Sequence, residues 1–162
     1  MRASLTFPDR LYNEEGLKIA RDLIEGGFRH NIKVEGSREF MEKVEESLRL
    51  VEVAGYMDFL RRYISRIVEK DGFSQLREDE LTIWANKYTV SDSVEAASFF
   101  VQKAEQMRLY IQREAHVGSK AESEAINKRI QFLRDLRDRT GEPEVRKICE
   151  EKLKQWSEST LL

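Results

Sequence analysis

Nucleophilic, acid–base or metal chemistry in this chain would draw on a short inventory: His30, His116, Cys149 and a few acidic pairs. His30 lies in a turn-like Phe-Arg-His-Asn segment, and His116 sits at a helix end before Gly118, where the helix dipole alone favours an imidazole. Neither has beside it the partners that a metal site or a catalytic triad requires, so both read as structural or solvent-facing. Cys149 is the only cysteine and falls on the apolar stripe of the last helix, where a small buried hydrophobe describes it better than a nucleophile. Glu45-Glu46 and Asp135/Asp138 read as solvated faces or ion-pair partners, the second pair neutralised by Arg134, Arg137 and Arg139. There is no Glu-x-x-His of the di-iron type and no glycine-rich phosphate loop, and Gly26-Gly27 is a helix stop. No catalytic residue, metal ligand or cofactor is expected. One polar spacing remains: Gln102 and Gln106, a helical turn apart, with Lys103 between them.

On a helix turning about 100° per residue, Ala97, Phe100, Val101, Ala104, Met107 and Ile111 share one side, the expected core face. Gln102 and Gln106 project together from nearly the opposite side, flanked by Phe99, Leu109 and Tyr110. An ordinary surface helix would be uniformly polar there. This one reads as covered on both sides.

The run Val101 to Tyr110, preceded by small and apolar residues, resembles the active-site helix of zincin-type metallopeptidases. Their His-Glu-x-x-His motif supplies zinc-binding imidazoles at i and i+4 and a general-base Glu. In small proteins of this kind the segment reads roughly Val-His-Glu-Ala-Thr-His, and a following helix brings a ligand Glu. On this pattern Gln102 and Gln106 take the His positions, Lys103 the Glu position, and Glu122 or Glu124 falls near the third ligand. Glu122 precedes Ile126, Ile130 and Leu133 at helical spacing, which would aim it at the same packed region. The resemblance spans residues 28–137, where a short strand, two amphipathic helices and a β-rich stretch precede the helix. It implies a degenerate domain whose cleft is filled by a Gln102–Gln106 hydrogen-bonded pair, with Glu122 paired to Lys103. A neutral Gln amide binds Zn²⁺ far more weakly than imidazole, and a Lys cannot serve as the base, so metal-assisted hydrolysis is not expected. The plainer alternative is that Gln102 and Gln106 are polar positions on a bundle helix.

Residues 1–162 read as a single mainly α domain: five to six compactly packed helices with at most a small β element. Residues 1–12, before the first cap, are expected to be disordered. Asn13, Ser37 and Asp92 (or Ser91) are N-cap candidates. The first helix then runs to about Glu25, a second carries Phe40, Met41, Val44, Leu48 and Val51, and the 93–115 helix is central. A third helix after Gly55 is expected to carry Tyr56 through Ile67 and Val68. Asn31–Glu35, Thr82–Trp84 and Tyr88–Val90 are candidate short strands. A helix from Ser119 to Gly141 and a last one opening at Pro143 complete the chain.

A net charge of -2, with cations and anions interleaved, gives no field that would gather nucleic acid. Only Lys128, Arg129, Arg134, Arg137 and Arg139 form a basic cluster, and a solvated charged helix describes it better. No apolar run approaches the length of a membrane span, so no membrane partner is expected. A lone cysteine and no apolar leader point to the reducing cytoplasm. Abundant Glu, Lys and Arg beside few Asn and Gln fit a thermophilic source. The expected function is a non-catalytic interaction or structural protein, an inactive relative of zincin metallopeptidases that binds a protein partner or itself. Trp84, Tyr88, Phe99, Tyr110 and Trp156 are the aromatic supply for its interface. The alternatives are an enzyme of unknown type with an unrecognised cleft, and a helical nucleic-acid-associated protein using Arg134–Arg139.

Overall fold

The computed structural model describes residues 6–112 and 118–160; His116 lies outside the described residues. Helix α1 (Glu14–Glu25) opens at Asn13, whose side chain accepts from Gly16 N at 2.8 Å. Strand β1 (Lys33–Glu35) follows. Helix α2 (Arg38–Val53) opens at Ser37, whose hydroxyl accepts from Phe40 N at 3.2 Å. Next come α3 (Met57–Tyr63), β2 (Arg66–Glu69), β3 (Gln75–Arg77), a 3₁₀ turn (Glu78–Glu80) and β4 (Thr82–Ala85). The three long helices are α4 (Ser93–Ile111), α5 (Ser119–Arg139) and α6 (Pro143–Thr160). The domain is mainly α with a small sheet, as its composition and periodicity require.

The four strands lie in the order β1-β2-β4-β3. β1, β2 and β4 run parallel, and β3 is antiparallel to β4. The register aligns Val34, Ile67, Ile83 and Leu76 across the sheet. Ile67 and Ile83 are fully buried, so this row is the inner face. Lys33, Arg66, Thr82 and Arg77 form the next row, on the opposite face by the two-residue period of the strands.

α4 is the centre of the packing and touches α1, α2, α3, α5 and α6. Ala96, Ala97, Phe100, Val101, Ala104, Met107, Leu109 and Ile111 are all fully buried. All but Leu109 fall on one broad side of the helix, and the alanines let the neighbouring backbones approach. Asp92 caps it, accepting from Val94 N at 2.9 Å and Glu95 N at 3.0 Å.

Three expectations are corrected. The third helix stops at Tyr63; Ile64 is extended, and Ile67 and Val68 belong to β2. That apolar run fits either period, and pairing on both sides with β1 and β4 decides it for strand. Tyr88–Val90 is a turn, because Asn86 organises it: Asn86 Oδ1 accepts from Thr89 N at 2.9 Å, and Asn86 Nδ2 donates to Gly72 O at 2.7 Å. Of the stretch 1–12, residues 1–5 lie outside the described residues, and the rest is tied to the domain: Leu11 is fully buried and its N–H donates to Asp79 O at 2.8 Å.

Candidate functional site

The side of α4 opposite its Ala-rich face carries Glu95, Ser98 and Gln102 at spacings i, i+3 and i+7, which stack them in one row. Arg129 of α5 lies across that row with only 7% of its surface exposed. Its Nε donates to Ser98 Oγ at 2.9 Å and its Nη1 to Gln102 Oε1 at 2.7 Å. Its Nη2 donates to the Glu95 carboxylate. The Trp156 ring of α6 covers the guanidinium, with Cζ 5.1 Å from the ring centroid. The planar fork thus satisfies three acceptors while one face stacks on an indole, an arrangement a Lys could not reproduce.

Lys152 of α6 completes the cluster. Its ammonium lies 2.7 Å from Glu95 Oε2 and 2.9 Å from Asp92 Oδ2. Burial would lower the Lys152 pKa, but bonds to Glu95 and Asp92 outweigh it and hold the ammonium above its usual range. Burial would likewise raise Asp92, yet the Glu95 N–H and Lys152 bring its carboxyl below the usual value. Burial pushes Arg129 down against the pull of Glu95; a guanidinium starts high enough to stay charged. Two cations against two carboxylates leave the cluster neutral, as partial burial demands.

The resemblance placed a Gln102–Gln106 pair and a Lys103–Glu122 pair here, and the geometry differs. Gln102 is taken by Arg129. Gln106 is half-buried, and no hydrogen bond joins it to Gln102. The Lys103 ammonium sits 5.2 Å from the Phe99 ring centroid. Burial and then Arg129 lower its pKa, with Glu78 pulling the other way. Glu122 is exposed, on the solvent side of α5, and Glu124 reaches Arg108 at 3.8 Å. Ala121 and Ala125 are the buried positions of this turn, so Glu122, about 100° round the helix from Ala121, faces away from the packed side.

The interface aromatics do not form one surface. Trp84 lies on the sheet beneath Arg77 and Lys70, at 4.4 and 5.1 Å from its ring centroid. Tyr88 is 75% exposed on the Asn86 turn. Phe99 packs edge-on to Phe100, Tyr110 OH donates to Leu11 O at 2.9 Å, and Trp156 covers Arg129.

The basic cluster is divided as well. Lys128 lies over Phe59 and Tyr56, at 4.5 and 5.7 Å. Arg129 is buried, and Arg139 Nη1 donates to Ala54 O at 2.6 Å. Arg134 and Arg137 remain beside an α5–α6 groove with Lys154 and Trp156, Arg137 already paired with Asp138 at 2.9 Å.

Cys149 is fully buried, and burial pushes its thiol up to about 11, which keeps it protonated and inert. Among the described residues, no three His, Cys, Asp or Glu side chains group as metal ligands. No helix of the described residues is long and apolar enough to cross a membrane.

Asp92, Glu95, Ser98 and Lys152 were not legible as site residues. Asp92 read as an N-cap alone, and Glu95 carried no reading. The i, i+3, i+7 spacing of Glu95, Ser98 and Gln102 on one side of the helix was the available signal. No protein-family model, curated protein or solved structure matches this chain.

Proposed function

We propose that this chain is a non-catalytic interaction or structural protein, an inactive relative of zincin metallopeptidases in which a protein-borne cation occupies the cleft. The observation that carries the reading is the Arg129 guanidinium bound to Gln102, the position where the resemblance puts the first zinc-binding His. A metal would bring charge that polarises water; a guanidinium brings charge and donors but activates nothing. Glu95, Ser98 and Gln102 all spend acceptors on it, so the row holds three helices together. The order of elements supports the same reading: strand, two helices, a β-rich stretch, then α4 and α5.

The surfaces left for a partner include Tyr88 and Phe73, 75% and 90% exposed on loops tied by the Ser74–Thr89 hydroxyl pair at 2.6 Å. A protein partner or a second copy in the cytoplasm is the expected occupant. The nucleic-acid reading loses Lys128, Arg129 and Arg139 to internal contacts. Metal analysis of purified protein, with light scattering after size exclusion, tests the proposal. The expected result is no stoichiometric zinc. Zinc at one ion per chain, removed with loss of a hydrolytic activity, would refute it.

A further inference from the structure

At the N-terminal ends of the parallel strands, remote in sequence from the Arg129 row, lies a cavity of about 420 Å³. Phe7 and Arg10 close one side; His30, Lys33, Arg66 and Leu81 line the rest. Three features of this lining are unfavourable in the protein alone.

The first is His30. Its ring is 7% exposed and wedged edge-on between Phe7 and Phe28, with centroids 4.6 and 5.0 Å away. Its Nε2 is the one buried side-chain nitrogen or oxygen among the described residues without a hydrogen-bond partner. Buried polar atoms left this way are rare and call for an explanation. The second is a like-charge pair. Lys33 and Arg66 are direct register partners on adjacent parallel strands, so their side chains leave the same face side by side, an arrangement that repels. Among the described residues Arg66 forms an ion pair only with Glu35, at 3.4 Å, and Lys33 forms none that would offset the repulsion. Arg10 is engaged elsewhere, with Asp79 at 3.3 Å and Glu80 at 3.0 Å. The third is Leu81, at φ +51°, the one described residue other than glycine in the left-handed region. A bulky side chain is rarely placed there, and such positions gather at ligand sites. Its carbonyl is held by Ser65, through N at 2.8 Å and Oγ at 3.2 Å.

We propose that this cavity binds a small organic anion, its carboxylate or phosphate between Lys33 and Arg66 and its body against Phe7 and His30. The anion relieves the cation pair, and its body covers the edge of the His30 ring that lines the cavity. Arg10 is neutralised by Asp79 and Glu80 and Arg66 by Glu35, so Lys33 is the cation of the lining with no ion pair to a described residue, one charge, which suits a monoanion. The site is independent of the Arg129 row and stands whether or not the zincin reading does.

The test is an NMR titration of the full chain with acetate, benzoate and inorganic phosphate, at ionic strength fixed with chloride. The readouts are the His30 ring nitrogens and the amides of Asn31, Ser65 and Arg66. The expected result is a saturable change at His30, with benzoate roughly tenfold tighter than acetate because its ring fills the apolar side. Saturation by phosphate instead assigns the site to phosphate esters. Lys33→Ala, at an exposed side chain that the fold does not use, is expected to weaken binding about fivefold or more by removing one cation. No saturable change with any probe, or binding by Lys33→Ala equal to the parent, would overturn the proposal.

Discussion

Replacing Arg129 by Met asks how much the guanidinium contributes. Met keeps the length of the stem and its contact with Trp156, and removes every donor. Ser98 Oγ retains its own bond to Glu95 O at 2.9 Å, Glu95 keeps Lys152 at 2.7 Å, and half-buried Gln102 can reach water. Breaking a fully buried pair costs about 3–5 kcal/mol. The Glu95 side chain is 40% exposed, so solvent screening lowers the figure, and about 2–3 kcal/mol is the expected loss. For a domain of this size that lowers Tm by roughly 6–9 °C. Urea titration read by far-ultraviolet dichroism measures it, and a lower midpoint with an unchanged slope is expected. Adding Glu95→Gln to Arg129→Met should be less costly than the two losses summed, by about 1 kcal/mol, since the acid is then no longer left with a single cation. If Arg129→Met alone stays within about 0.5 kcal/mol of the parent, the row does not hold the helices and the proposed substitution of a metal by Arg129 loses its footing.

Further predictions concern other parts of the molecule. Burial first, then Arg61, pushes His30 from 6.5 to about 4; the unfolded chain therefore takes the proton more readily, and stability is complete above pH 6.5 and lost as pH falls toward 4. Denaturation across that window should show a fall of which about 3 kcal/mol disappears in His30→Phe, the rest belonging to carboxylates such as Asp92 and Asp58 that are held low; an equal fall in both proteins would refute it. At Gly36 a Cβ would sit 2.7 Å from both Glu69 Cβ and Phe40 Cδ1, so Gly36→Ala should cost about 1–3 kcal/mol in the same urea assay. Cys149 should react with a thiol reagent only after unfolding; stoichiometric labelling of the native protein would contradict its burial.

The elements legible in the sequence are those whose ends are chemically marked. Asn13, Ser37 and Asp92 accept from backbone N–H groups as N-caps, and Ala97, Phe100, Val101, Ala104, Met107 and Ile111 are buried together as one face. The sheet was only partly legible, because strands this short carry too few residues for a period. Val68 and Ile67 fit a helix until β1 and β4 appear on either side. Gln75–Arg77, beside exposed Phe73, shows no alternation that separates it from a loop. At the site, Gln102 was identified but its partner was not. Charge on a helix reads as solvent-facing by default, and nothing local to Arg129 shows that α4 and α6 close over it.

Asp92 has two duties: it caps α4 and it holds Lys152, 60 positions further along the chain. The closure joining Glu95 to Lys152 spans 57 residues and the one joining Glu95 to Arg129 spans 34. Synthesis delivers α4, with its broad apolar side, well before the residues that complete its polar row. During that interval the most hydrophobic helix of the domain has its α2 and sheet contacts but no lid. The entropy of closing long loops must be spent before these contacts return anything. Chaperone capture and aggregation would therefore be concentrated in that window of translation, and the late arrival of Arg129 and Lys152 is what ends it.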